Sequence, residues 1–302
     1  MRFATGGNAR WAGFLCLLVT ALGWGLNWPA MKVLLREWPP FFARGLAGVV
    51  AALLLAALAL RRGESLAVPP RFLPRLCLLA LTNVFFWMGL TTVMMQWVTV
   101  AEGALLVYTM PIWSMLLSWP LLGIRPTPRM TAALALGIAG TAVLLGGGIQ
   151  LGSDKAWGVA LGLSSAILFA LGGILNRKPP PLPPLALVAW QIGLGCLPML
   201  LIGLVFERQR IGPLSPLGWA LQAYMTLVPM GLSYVTWFAA LRLLPPATAS
   251  MGTLMVPLVG IVAAGLALGE PLGWRVIAAL LLVLSGVALA LKPPAAPKAD
   301  PG

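Results

Sequence analysis

The amino-acid sequence predicts an all-α membrane protein with ten transmembrane helices in two inverted five-helix repeats. Three observations carry that expectation. The 302 residues are 60% hydrophobic and only 9% charged, with a mean hydropathy of +0.95, far from the composition of a soluble domain. The apolar residues fall in blocks of roughly 20, the length that takes a helix across a hydrocarbon core, whereas a barrel would show short alternating segments. The second half of the chain also repeats, in order, proline, glycine and basic positions of the first.

The first block, 11–32, is too long for a signal-peptide core and runs into "WPAMK" instead of a small-residue cleavage site, so it reads as a retained span. Further spans follow near 42–60, 73–97, 102–122, 130–148, 156–176, 185–206, 216–242, 247–268 and 273–291, separated by charged or proline-rich breaks. Residues 1–150 make the first repeat, 151–292 the second and 293–302 a flexible tail. With the N-terminus inside, thirteen of the 20 basic residues fall on the cytoplasmic side, which predicts that both termini are cytoplasmic. The formal charge of +13 is scattered over loops and forms no run that would mark a nucleic-acid partner.

Shifting the chain by about 146 residues aligns Pro111 with Pro257, Gly123 with Gly269 and Gly140 with Gly286. It also brings Arg129, Ala132 and Ala133 onto Arg275, Ala278 and Ala279. At a shift of about 145, Gly13, Thr20, Trp24 and Lys32 meet Gly158, Ser165, Phe169 and Arg177. Five is an odd number of crossings, so two such copies enter the membrane in opposite senses. Inverted repeats of this kind recur in secondary transporters, which bind solute near the midplane and alternate its access.

A helix turns about 100° per residue, so Thr20, Trp24, Asn27, Trp28 and Met31 share one face of the first span. Gly23 and Gly25 beside them invite close helix packing. The sixth span carries Ser165, Phe169, Gly172 and Asn176 at matching depth. The third adds Asn83, Phe86 and Trp87, the fourth Tyr108, and the eighth Ser233, Tyr234 and Trp237. Amides are costly in lipid, so these stripes predict a shared interior cavity whose substrate-binding residues are Trp24, Asn27, Asn83, Phe86, Trp87, Tyr108, Phe169, Tyr234 and Trp237. Trp97, Trp219 and Trp274 lie near span ends and read as an interfacial belt, Trp28 stays open between that belt and the cavity-facing side, and Lys32 reads as a snorkelling anchor. Pro111 and Pro257 read as matched mid-helix kinks and candidate hinges.

Histidine is absent, and the seven acidic residues, Glu37, Glu64, Glu102, Asp154, Glu207, Glu270 and Asp300, lie in loops, at span ends or in the tail. No carboxylate or imidazole is placed for a proton relay at mid-membrane, Glu102 coming nearest. Cys16, Cys77 and Cys196 have no metal-like spacing and read as free buried thiols. The stretch "GGIQLGSDK" lacks the Lys-Ser/Thr of a phosphate loop. No metal, cofactor or enzymatic activity is expected. The partners expected are a small-molecule substrate and the bilayer, with the chain acting as a monomer.

The strings "GWGLNWPAMK", "LLVYTMPIW" and "LALGEPLGWRVIAALLLVLSGVAL" resemble the drug/metabolite transporter superfamily, in its EamA-type branch, over nearly the whole chain. Within it the chain is similar to bacterial aromatic amino acid exporters. That resemblance implies aromatic cavity walls at Trp24, Tyr108 and Phe169, with Phe169 and Met110 standing where that type has tryptophan. A further departure is Ile124 in the first repeat against Glu270 in the second. The implied activity is export of amino acids, aromatic ones included, or similar neutral or zwitterionic metabolites across the bacterial inner membrane by alternating access, without proton coupling. The rival readings are a proton-coupled drug/metabolite exporter, a channel and a membrane-embedded lipid enzyme; the last lacks a nucleophile with a base.

Overall fold

Apolar blocks that must satisfy their backbone internally become helices. The computed structural model describes residues 7–125, 127–145, 154–175, 180–244, 248 and 252–291; Asn176, Arg177, the stretch 146–153 and the tail 293–302 lie outside them. The helices are α1 (Gly7–Leu34), α2 (Pro40–Arg61), α3 (Leu73–Ala80), α4 (Trp87–Met94), α5 (Val100–Val107), α6 (Met110–Leu122), α7 (Pro128–Leu145), α8 (Asp154–Leu175), α9 (Pro184–Phe206), α10 (Pro216–Leu227), α11 (Ser233–Leu243), α12 (Met255–Leu268) and α13 (Trp274–Leu291). Among the described residues, seven helical stretches are long and apolar enough to cross a membrane, and Met255–Leu268 and Trp274–Leu289 are shorter apolar helices. Side chains such as Leu53, Phe206, Leu266 and Leu281 face outward, as lipid contact requires.

Packing brings distant parts of the chain together. α2 lies along α9, α7 along α13, α1 against α11 and α12, and α8 against α4 and α6. Glycines set the α7–α13 crossing: a Cβ at Gly140 would come within 3.1 Å of the Ala279 carbonyl, and one at Gly286 within 2.8 Å of the Ala133 carbonyl. α6 and α12 each stop at a left-handed glycine, Gly123 (φ 69°) and Gly269 (φ 67°), a conformation costly for any residue with a Cβ. The GxxxG glycines Gly158 and Gly162 pack internally, against Val98 and Met94.

Several spans are interrupted where straight helices are expected. α3 runs into α4 through a π turn at Leu81–Phe86, and α10 into α11 through one at Val228–Leu232, where Pro229 has no N–H to donate. α5 and α6 are parted by a turn at Tyr108 and Thr109, and another turn at Thr253 and Leu254 precedes α12. Pro111 and Pro257 therefore do not kink continuous helices. They stand second in α6 and third in α12, in first turns whose N–H groups have no intrahelical acceptor anyway.

Prolines open α2, α9 and α10, leaving their first amides to find partners elsewhere, and carboxylates of other segments supply them. Glu207 accepts from Phe41 N and Phe42 N (3.4 and 2.9 Å) at the start of α2. Glu64 accepts from Leu185 N and Ala186 N (both 3.1 Å) at the start of α9. Glu270 takes Val100 N (2.9 Å) at the start of α5. Glu37 accepts from the Ser215 amide and hydroxyl (both 2.7 Å), while Ser215 Oγ accepts from Gly218 N. Of the three free thiols, Cys196 is buried and Cys16 half-buried, but Cys77 is exposed.

Glu64→Ala and Glu207→Ala each remove the acceptor at a helix start, so each should cost about 1–2 kcal/mol in thermal unfolding of the detergent-solubilised protein. The hydrogen bonds from Ser215 hold the Glu37 carboxyl below its ordinary value of 4.5. Its contribution is complete above that value and is lost as pH falls through the lower folded one. Melting curves at descending pH should show an acid-dependent loss in the wild type that is absent from Glu37→Gln.

Candidate functional site

The interruptions surround a cavity of ≈ 360 Å³. It is bounded by α1, α2, both π turns, α4, the Tyr108 turn, α8, α11 and the start of α12. Trp24, Asn27, Asn83, Trp87, Tyr108, Phe169, Tyr234 and Trp237 all line it. Phe86 does not; its ring packs edge-on against Phe85, with centroids 5.4 Å apart. In a regular helix residues 83, 86 and 87 would share a face, but the wider turn at Leu81–Phe86 keeps Asn83 with Trp87 and carries Phe86 aside.

The aromatic walls form two groups. Trp24 meets Tyr234 edge to face (5.5 Å, 74°) and Trp237 at a tilt (5.8 Å, 50°). Trp87 meets Phe169 at 4.5 Å and 48°. Trp24 Nε1 donates to the Pro229 carbonyl (2.9 Å), so the indole nitrogen is satisfied and the ring offers its apolar surface. Behind the walls, Thr20 Oγ1 bonds Cys16 O and Thr236, and Ser165 Oγ donates to Trp87 O.

Among the described residues the cation bordering this site is Arg44, a residue that lies only one turn into α2 and so reads from sequence as a span-end cation. It is buried and borders the cavity, and its Nη1 donates to Asn27 Oδ1 (3.2 Å). Its Nε is buried without an acceptor. The available signal was the register of Arg44 in an otherwise apolar helix, where an ionisable residue turns inward. Trp28, which shares the face of Trp24 and Asn27 and is open between cavity and belt in the sequence, is buried and lines the cavity, with α12 against it at Gly260. Trp97, Trp219 and Trp274 are exposed. The Lys32 ammonium donates to the carbonyls of Met95 and Val98, just beyond the C-terminal end of α4, where helix carbonyls lack partners.

Glu102 stands outside the cavity lining. It is buried, closes a capping box with Thr99 at the start of α5, and pairs with Lys155 at the start of α8 (2.5 Å). No acidic side chain borders the cavity among the described residues. What the site offers is two aromatic surfaces, two carboxamides, hydroxyls and one guanidinium, which suits binding of an organic solute better than bond-making chemistry.

The EamA-like transporter family profile matches residues 11–146 and again 156–292. The uncharacterized transporter YvbV of Bacillus subtilis is 28% identical over 277 residues, covering 91% of this chain and 90% of that protein. A probable amino-acid metabolite efflux pump of Salmonella typhimurium is 28% identical over 299 residues, covering 92% and 94%. A probable terminal-alkyne amino-acid exporter of Streptantibioticus cattleyicolor is 28% identical over 278 residues, covering 87% and 86%. One crystal structure of a protein 21% identical has a TM-score of 0.65 over 95% of this chain and 97% of that one, so the two share a fold.

Asn27→Ala would leave the Arg44 guanidinium without its protein acceptor and should destabilise the protein by about 1–3 kcal/mol. Asn27→Asp supplies an acceptor of opposite charge and should melt above Asn27→Ala. Equal melting temperatures for the two variants would mean that the contact is energetically silent.

Proposed function

Because the chain belongs to the EamA-like transporter family, and so is a multi-pass membrane transporter, we propose that it exports amino acids or similar small zwitterionic metabolites by alternating access. The observation that carries this reading is the aromatic-walled cavity, to which segments from both halves of the chain contribute. The solutes in the names of two relatives, an amino-acid metabolite and a terminal-alkyne amino acid, support the substrate class. The aromatic surfaces suit an aromatic or bulky apolar side chain.

The same proposal includes ten spans in two inverted halves. The two separate family matches support it, as do features that recur about 146 positions apart: the π turns, the turns before α6 and α12, the left-handed glycines, and the reciprocal Gly140 and Gly286 contacts. Ring pairs follow suit, Trp24 with Tyr234 matching Phe169 with Trp87. Rocking of the halves would hinge at the turns beside Pro111 and Pro257. The distribution of Lys and Arg supports cytoplasmic termini, and a relative named as an inner membrane transporter supports that location. The cavity closes within one chain, which supports a working monomer.

Transport proceeds down the solute gradient without a coupled proton. Glu37, Glu64, Glu207 and Glu270 receive backbone amides, and Glu102 pairs with Lys155, so none of them faces the cavity. In proteoliposomes, counterflow of a labelled amino acid should proceed at the same rate with and without a pH gradient. Strong stimulation by the gradient would favour a proton-coupled exporter, conductance steps a channel, and absence of flux for every solute tried would overturn export.

A further inference from the structure

We infer that Arg44 is the anchor for a carboxylate, and that a carboxylate on an aromatic or bulky apolar body, with or without an amino group, is what this cavity selects. The inference rests on the reading of the cavity as the solute site. Four observations lead to it. Arg44 is buried against the cavity, so its charge is largely removed from water. Of its five N–H donors, only Nη1 has a described protein acceptor, and that acceptor is the neutral amide oxygen of Asn27. No carboxylate borders the cavity among the described residues, and the five glutamates have partners elsewhere.

The fourth observation is the asymmetry this creates. A planar guanidinium matches a carboxylate through paired hydrogen bonds, so the negative end of a solute has a dedicated partner beside Asn27. Among the described residues the positive end of a zwitterion has none, only ring faces and neutral polar groups. One uncompensated positive charge in the protein calls for one negative charge on the solute. The carboxylate is therefore required and the amine dispensable, which extends the substrate class from amino acids to arylalkyl carboxylates that lack nitrogen.

Tryptophan fluorescence titrations of the purified full chain in nanodiscs test this, since Trp24, Trp28, Trp87 and Trp237 line the cavity. The probes are phenylalanine, phenylpropionate, phenylethylamine and phenylalaninamide. Phenylalanine and phenylpropionate should bind within a few-fold of each other. The two probes without a carboxylate should bind more weakly, on the order of 10- to 100-fold. Arg44→Gln should erase that difference, and Arg44→Lys, which keeps the charge but loses the planar fork, should retain part of it. Binding of the amine or the amide as tight as that of the acid in the wild type would overturn the inference while leaving the cavity as the solute site. So would an acid preference that survives in Arg44→Gln. If none of the four probes changes the fluorescence, the cavity is not a site for such solutes, and the inference falls together with the reading it rests on.

Discussion

An amide at a helix start in or beside hydrocarbon must find an acceptor inside the protein, and this chain meets that demand with carboxylates from other segments. Glu207 closes the start of α2 and Glu64 the start of α9, and these two helices lie along each other. Glu270 closes α5 from beyond α12, and Glu37 holds Ser215 at the start of α10. Glu102 completes the set by joining the starts of α5 and α8 through Lys155. The five glutamates thus tie helix ends together, and among the described residues no carboxylate borders the interior cavity.

That arrangement gives Arg44 its significance. A guanidinium among so many apolar residues would ordinarily be matched by one of the glutamates, yet every one of them has a partner elsewhere. Among the described residues Asn27 supplies its hydrogen-bond acceptor, and an amide dipole compensates a full charge only partly. Stability favours placing the carboxylates at helix ends, while solute recognition favours a cation left in the cavity, and both needs are met by keeping the two kinds of charge apart.

Backbone irregularity is also concentrated around the cavity. The π turns at Leu81–Phe86 and Val228–Leu232 contribute Asn83, Pro229 and Met230, and the interrupted helices contribute Tyr108 and Thr253. Irregular backbone inside a membrane protein is tolerated where protein or a cavity surrounds it, and freed carbonyls then become available, as that of Pro229 is to Trp24. Most of the cavity was legible in the sequence, because amides and aromatics at helical spacing in apolar blocks have few places to go but inward. Phe86 falls outside the lining because the π turn at Leu81–Phe86 breaks the constant pitch that would keep it beside Asn83 and Trp87.

The sequence by itself determined the all-helical membrane class and eight of the residues that line one cavity. These are carried by hydropathy, residue spacing and the punctuation of proline and glycine, all local properties that sum along the chain. Tertiary structure alone decided that Arg44 borders the cavity with no carboxylate beside it among the described residues, that each glutamate reaches another segment, and that Pro111 and Pro257 start helices instead of bending them. Each of these depends on which groups from distant parts of the chain come within hydrogen-bonding distance, and that is settled by how the helices pack.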